Sequence, residues 1–347
     1  MKVGILTFHR ANNHGAVLQC YALQTYLASI GLDVEVIDYL QPAIERTYNT
    51  FSLRLLREKI LHPMDVIRYI KNTPIRRINN CKFNIFRKRS LHLSPVFTGK
   101  GLLDYDIVFH GSDQIWNPKL TGGRLDDIYL GFYRQKEHGK KIAYAVSFED
   151  KHISEDEAAI YKAGIKNFNA ISLREPSLGK ILSPLTDKKI NFVVDPTLLL
   201  LRTDYDKIAE DVDEKKKYVL VYTVGPASLA LKIAYRIASE RNLKVINITN
   251  KNITPNMFVG YFKHASFVVS VSFHGTIFSL LYNKSFYTVA TGKTSDIRYY
   301  DLLKKFQLSS RCVTCMPDEI TDIDYTSFDV DLEECVHESK NFIRQNL

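Results

Sequence analysis

The chain has 347 residues, few cysteines, a single tryptophan and no apolar run approaching the roughly 18 residues that a membrane-crossing helix needs. Its cysteines (Cys20, Cys81, Cys312, Cys315 and Cys335) are odd in number, which argues against a disulfide framework and fits a reducing compartment. Met1-Lys2-Val3-Gly4-Ile5-Leu6-Thr7 runs directly into a strand pattern with no leader ahead of it, so a cytoplasmic protein is expected. The loop His9 to Gly15, which leads into the first helix, has no G-x-G-x-x-G and no G-K-[ST], so a dinucleotide or P-loop reading of it is poor. No His, Asp or Glu group has metal spacing and no serine elbow occurs, so no metal is expected. Cys312-Val313-Thr314-Cys315 is a lone C-x-x-C: zinc would want two more ligands, and the pair does not open a helix after a strand as a redox motif would.

The composition (45% hydrophobic, 24% charged) is that of a folded chain, long enough for two domains with a core each. The net charge of +9 has one source. Between Arg54 and Arg89 lie eleven Lys/Arg against two acids, while the rest of the chain balances 36 with 36. That basic insertion, about 52–92, carries helical apolar spacing (Leu53, Leu56, Ile60; Val66, Ile67, Ile70; Ile78, Phe83, Phe86), and Pro63 and Pro74 are expected to break it into pieces. Basic amphipathic helices suit an anionic lipid surface or a polyanionic substrate; the plainer alternative is a solvated insertion whose apolar face packs on its own domain. No nucleic-acid-binding module surrounds the charge, so nucleic acid is not an expected partner.

The chain opens as a β-loop-α-β unit, with a strand at Val3 to Phe8, the loop His9 to Gly15, an amphipathic helix from Ala16 to Ile30 and a strand at Val34 to Ile37. Strands follow at Tyr105 to Phe109, Lys141 to Val146 and Ala170 to Leu173. A second α/β pattern comes after Asp195-Pro196-Thr197, with strands at Tyr218 to Val224, Lys244 to Ile248, Phe267 to Val271 and Phe286 to Ala290. The expected fold is α/β: two Rossmann-like domains, 1–175 and 176–347, facing a cleft in a GT-B-like layout, with a C-terminal helix able to cross back to the first domain.

The organising stretch is Phe267 to Tyr282, a β-branched strand, a His274-Gly275 turn and a helix opening at Thr276. A helix that starts at a strand's carboxyl end offers free amides and the positive end of its dipole, and an imidazole there adds donors suited to phosphate or carboxylate. A core histidine bonded to a carbonyl is the alternative. Arg174, leaving a strand toward the cleft, makes an anion fork, or a surface pair with Glu175. The loop Gly111-Ser112-Asp113-Gln114-Ile115-Trp116-Asn117 is placed to handle sugar hydroxyls; Trp116 could stack on a sugar ring or anchor the loop in the core.

Several stretches together resemble the polysaccharide pyruvyl transferases: Asn13-His14-Gly15-Ala16 with Gln19 and Tyr21 to Gln24, then Gly111 to Asn117, Leu173-Arg174-Glu175, Asp195-Pro196-Thr197, Ser272-Phe273-His274-Gly275-Thr276 and Asp296-Ile297-Arg298. The resemblance implies transfer of pyruvyl from phosphoenolpyruvate onto two hydroxyls of one sugar, as a ketal, in exopolysaccharide, capsule or cell-wall assembly. It implies a GT-B-like fold, no organic cofactor and a saccharide acceptor that can be lipid-linked, which would bring a cytoplasmic enzyme to the inner membrane face. Its anion contacts fall on Arg174, His274 and Lys293, with Gly275, Thr276 and Arg298 beside them in the second domain, the phosphoenolpyruvate side. Asn13, His14, Gly15, Asp113, Gln114 and Trp116 fall on the acceptor side in the first. His274, Asp113 and Asp296 are the candidate proton carriers. Relatives that modify secondary cell-wall polymers tend to have Arg-Leu-His where this chain has Ser272-Phe273-His274, one cation fewer. Rival expectations are a nucleotide-sugar-dependent glycosyltransferase and a non-catalytic module that binds anionic glycan or membrane through the basic segment.

Overall fold

The computed structural model describes residues 1–48, 63–149, 153–212, 216–249 and 251–347. The first sheet is built from β1 (Lys2–Leu6), β2 (Asp33–Tyr39), β3 (Leu93–Phe97), β4 (Ile107–His110), β5 (Lys140–Val146), β6 (Ala170–Leu173) and β7 (Ile190–Phe192). Its order is β3-β2-β1-β4-β5-β6-β7, parallel throughout. The second sheet runs β9-β8-β10-β11-β12, again parallel, from β8 (Tyr218–Thr223), β9 (Lys244–Asn247), β10 (Phe267–Val271), β11 (Ser285–Val289) and β12 (Cys312–Val313). Both are open Rossmann-like sheets whose order reverses once, beside β1 in the first and beside β8 in the second, where such folds leave a crevice at the carboxyl ends. The two-domain layout expected from the sequence is the observed one.

Helix α1 (His14–Ser29) follows β1, started by Asn13, whose side chain accepts from the Ala16 amide, and stopped before Gly31, which takes φ +85°. It is not amphipathic as expected. Gly15 to Cys20, Ala22, Leu23, Tyr26 and Leu27 are all buried, because α1 has the first sheet on one side and the second domain on the other. The second-domain neighbours are α7 (Pro255–His264), α8 (Phe273–Leu281) and the turn Pro196–Leu199. One apolar cluster therefore runs from Val3 and Ile5 through Leu18 to Phe258 and Phe278, joining the two domains.

The expected boundary at 175 falls too early. The helix Pro176–Leu182 and β7 still belong to the first domain, since β7 pairs with β6 and closes that sheet's edge. The C-terminal helix, α10 (Thr326–Gln345), does return to the first domain: the Ser339 hydroxyl accepts from the Val194 amide, Phe342 lies against Tyr144, and the Lys140 ammonium donates to the Leu347 carbonyl.

Of the basic insertion, residues 52–62, with Leu53, Leu56 and Ile60, lie outside the described residues. The rest is one helix, α3 (Pro63–Ser90), which Pro74 does not break. Pro74 is exposed, so it forfeits a backbone bond without disturbing the packing of Phe83 and Phe86, which are fully buried further along. Arg87 is not part of a basic surface. It is buried, and its guanidinium donates to the Arg10 carbonyl (3.3 Å), to Asn12 Oδ1 (3.1 Å) and to Asn84 Oδ1 (2.7 Å), so it holds the loop that leads into α1. Lys82 ties the same helix to the Asn252 carbonyl of the second domain. Among the described residues no helix is long and apolar enough to cross a membrane.

Candidate active site

The strand β10 ends at Val271, and Ser272 turns the chain into α8. Ser272 keeps an extended backbone, and its hydroxyl accepts from the Gly275 amide, the pattern of a serine N-cap. The helix thus opens three residues earlier than expected, and His274 sits in its first turn rather than in a turn before it. This changes the donors. The Gly275 and Thr276 amides are taken by the Ser272 hydroxyl and carbonyl, and the Thr276 hydroxyl points inward to Thr288 at 2.6 Å. Neither Gly275 nor Thr276 presents a donor to the cleft; the amides without an intrahelical acceptor are those of Phe273 and His274.

His274 lines a cavity of about 340 Å³ between the domains. The second domain contributes Ser272, Phe273, Lys293 and Arg298; the first contributes Asn13, Asp113 and Gln114. Six of the residues singled out in the sequence, from four separate stretches, meet here. Lys293 is exposed to the cavity, and Arg298 commits Nε to the Ser295 carbonyl. Gln114 donates from its side chain to the Phe148 carbonyl. Asp113 adopts φ +73°, which turns its carboxylate toward the cleft while Oδ1 accepts from the Gln114 amide.

Beneath the cavity lies a buried ionic cluster. Arg174 donates from Nε to Glu175 (2.6 Å) and from Nη1 to Asp195 (2.8 Å), and its Nη2, 3.8 Å from Asp113, has no hydrogen-bond partner. It is therefore neither a surface pair nor a lining residue of the 340 Å³ cavity. The Phe273 ring lies between, with the Arg174 guanidinium 4.4 Å and the Arg298 guanidinium 5.9 Å from its centroid. Burial works against the charge on Arg174, and the carboxylates of Glu175, Asp195 and Asp113 more than offset it. Burial also works against the charge on Asp195, yet His274, Arg174 and Thr197 together hold that carboxyl well below the usual carboxylate range. Burial pushes Glu175 up, and Arg174 restores only part of the shift.

Four further sequence candidates have other surroundings. Asp296 is buried, and its oxygens accept from the amides of Thr291 (2.6 Å), Gly292 (2.8 Å) and Lys293 (3.2 Å), so it shapes the loop that presents Lys293. Trp116 is fully buried and donates to the Tyr129 carbonyl; it anchors its loop and has no face for a sugar. His14 stacks on Phe258 and lines a neighbouring groove, where burial pulls its pKa down to about 4 against the Ile253 carbonyl. Gly15 passes directly against the His274 ring, leaving no room for a side chain. Residues the sequence did not single out for a role include Ser272, the cap, Phe273, the divider, and Asp195. Ser272 was findable as an N-cap just ahead of an apolar helix; the partners of Asp195 come from distant stretches and carried no local signal. Among the described residues no cluster suited to a metal ion is present.

The family model for polysaccharide pyruvyl transferase matches residues 13–293, most of the chain, and the chain belongs to that family. No curated protein matches it significantly. Among solved structures, UDP-N-acetylglucosamine 2-epimerase from Rickettsia bellii is similar over 99% of this chain and 95% of its own, at 9% identity and a TM-score of 0.49. The UDP-GlcNAc 2-epimerase from Neisseria meningitidis is similar over 97% and 100%, at 9% identity and 0.43. An uncharacterized protein from Klebsiella pneumoniae subsp. pneumoniae is similar over 68% and 85%, at 14% identity and 0.42. These three likenesses say nothing about substrate.

Proposed function

We propose that this member of the polysaccharide pyruvyl transferase family takes phosphoenolpyruvate as donor and bridges two hydroxyls of one sugar with its pyruvyl group, releasing phosphate. The observation that carries the proposal is the two-sided cavity: imidazole, ammonium and guanidinium from one domain face a carboxylate and two amide side chains from the other. Phosphoenolpyruvate has two anionic groups on a three-carbon frame, so it wants several converging donors. Lys293, Arg298, His274 and the first amides of α8 can supply them. Asn13 and Gln114 suit hydroxyls on the acceptor side. Protonation of the enol carbon gives an oxocarbenium-like centre at C2; one sugar hydroxyl attacks it, phosphate leaves, and the second hydroxyl closes the ketal. His274 and Asp113 are the groups in the cavity able to give and take the protons. The sugar belongs to an exopolysaccharide, capsule or cell-wall polymer, or to its lipid-linked precursor. The exposed Arg77, Lys88 and Arg89 of α3 suit an anionic membrane that would hold such a precursor, which would place the enzyme in the cytoplasm at the inner membrane face.

A groove of about 520 Å³ adjoins the cavity along Asn13 and Val224. Its room for a bulkier ligand supports the second reading, a glycosyltransferase using a nucleotide-sugar. Calorimetry separates the two. Saturable phosphoenolpyruvate binding, weakened about tenfold or more in Lys293→Ala through loss of a charged contact, is the expected result. Binding of a nucleotide-sugar with indifference to phosphoenolpyruvate overturns the proposal.

A further inference from the structure

We propose that Asp195 is a positioning residue that keeps Nε2 of His274 protonated and turned inward, so that Nδ1 is the ring nitrogen that meets the substrate. Assigning Nδ1 as the nitrogen that meets the substrate rests on the pyruvyl-transfer reading of the cavity; the geometry of the pair does not.

His274 Nε2 is buried without a hydrogen-bond partner, and the nearest ionised oxygen is Asp195 Oδ2 at 3.7 Å. That gap is one a small rotation of the ring closes, and a buried N–H beside a buried carboxylate is held by their attraction until it does. Nδ1 has no hydrogen-bond partner either, but it is not buried. It lies on the Gly15 side of the ring, and His274 is a lining residue of the cavity. The two nitrogens of one imidazole thus differ in surroundings: Nε2 is buried beside a fixed carboxylate, and Nδ1, beside Gly15, is the more accessible of the two.

Asp195 is itself firmly set. Its Oδ1 accepts from both the amide (3.0 Å) and the hydroxyl (2.7 Å) of Thr197, and its Oδ2 accepts from Arg174 Nη1 (2.8 Å) and the Ser112 hydroxyl (3.1 Å). Asp195 is 2% exposed, so these bonds hold it away from water. Every neighbour is a donor, and the fifth position around the carboxylate is the His274 ring. A carboxylate surrounded in this way accepts and does not donate, which leaves the adjacent ring nitrogen only the donor role. A histidine fixed in one tautomer by an outer carboxylate has its remaining nitrogen free to exchange a proton.

The same geometry predicts what Asp195→Asn does. The Thr197 amide at the Oδ1 place and Arg174 Nη1 at the Oδ2 place are both obligate donors, so the one amide oxygen of asparagine can serve only one of them and no ionised oxygen is left beside Nε2. The charge that holds the proton on Nε2 is gone, and the ring loses its preference for the Nε2-protonated tautomer.

The test is long-range proton–nitrogen correlation NMR on protein labelled with nitrogen-15, read on the high-pH side where the ring is neutral, with the His274 signals assigned by their loss in His274→Gln. The wild type should show Nε2 protonated and Nδ1 bare, and Asp195→Asn should shift the ring toward the Nδ1-protonated tautomer. A wild-type ring protonated on Nδ1 overturns the proposal whether or not the variant folds, and so does a variant with an unchanged tautomer. Where phosphoenolpyruvate consumption is measurable, Asp195→Asn should lower kcat about 10–100-fold with KM within about twofold. An unchanged kcat also overturns the proposal. A protein that ignores phosphoenolpyruvate but shows the expected tautomers would sink the pyruvyl reading and leave the Asp195–His274 pair standing.

Discussion

Replacing Gly15 with alanine tests the geometry of the cavity through a single methyl group. The added Cβ would lie 1.9 Å from Nδ1, 2.2 Å from Cγ and 2.6 Å from Cε1 of His274, all inside the 3.0 Å that real Cβ atoms essentially never cross. Gly15 does not have a positive φ, so the collision is the whole penalty, and it falls on a ring hemmed in by Asp195 and Phe273. Overpacking of this kind costs about 1–3 kcal/mol, against which alanine in a helix regains up to about 1 kcal/mol over glycine. The net effect in the wild type is a loss of stability of up to about 2 kcal/mol. In the His274→Ala background the obstacle is gone, only the helix gain remains, and Gly15→Ala should stabilise the protein. The sign of one substitution therefore reverses with the presence of one side chain. Urea denaturation of the four proteins in a double-mutant cycle measures this, with a coupling of about 1–3 kcal/mol expected. A ring displaced by an ångström should also cost about 100-fold or more in phosphoenolpyruvate turnover. Equal effects of Gly15→Ala in both backgrounds would refute the close approach of α1 to His274.

Two further expectations concern regions away from the cavity. Neutralising the exposed Arg77, Lys88 and Arg89 together should reduce sedimentation with anionic liposomes while leaving thermal stability close to wild type; unchanged sedimentation removes the membrane from the account. His110 is fully buried, and burial pulls its pKa down to about 3 against the Tyr129 carbonyl. Between that value and the ordinary value near 6.5, the unfolded chain binds a proton that the folded one refuses. Stability should therefore fall as pH drops below about 6.5, and less steeply in His110→Asn; parallel urea profiles from neutral pH down to pH ~4 would contradict this.

Most of the architecture was legible in local pattern. Short β-branched runs alternating with helical periodicity sufficed for two parallel sheets, and the family motifs pointed to the residues that line the cleft. The departures share one cause. The helix α1 looked amphipathic, yet it is buried on nearly all sides because a second domain covers the face that a lone domain would leave to water. Pro74 looked like a breaker, yet the packing of Phe83 and Phe86 holds the helix through it. Arg174 looked like the anion fork, yet three carboxylates from three different loops draw it beneath the floor. Trp116 and Asp296 carry plausible chemistry in sequence and serve as an anchor and a loop former in the fold.

The sequence by itself determined which side chains could meet an anion and a sugar, because residue type and position at strand ends are local properties. Only the tertiary structure decided which of them face the cavity. That choice depends on where each buried charge and amide finds its partner, and for His274 the partners are Gly15 and Asp195, 259 and 79 residues away in the chain.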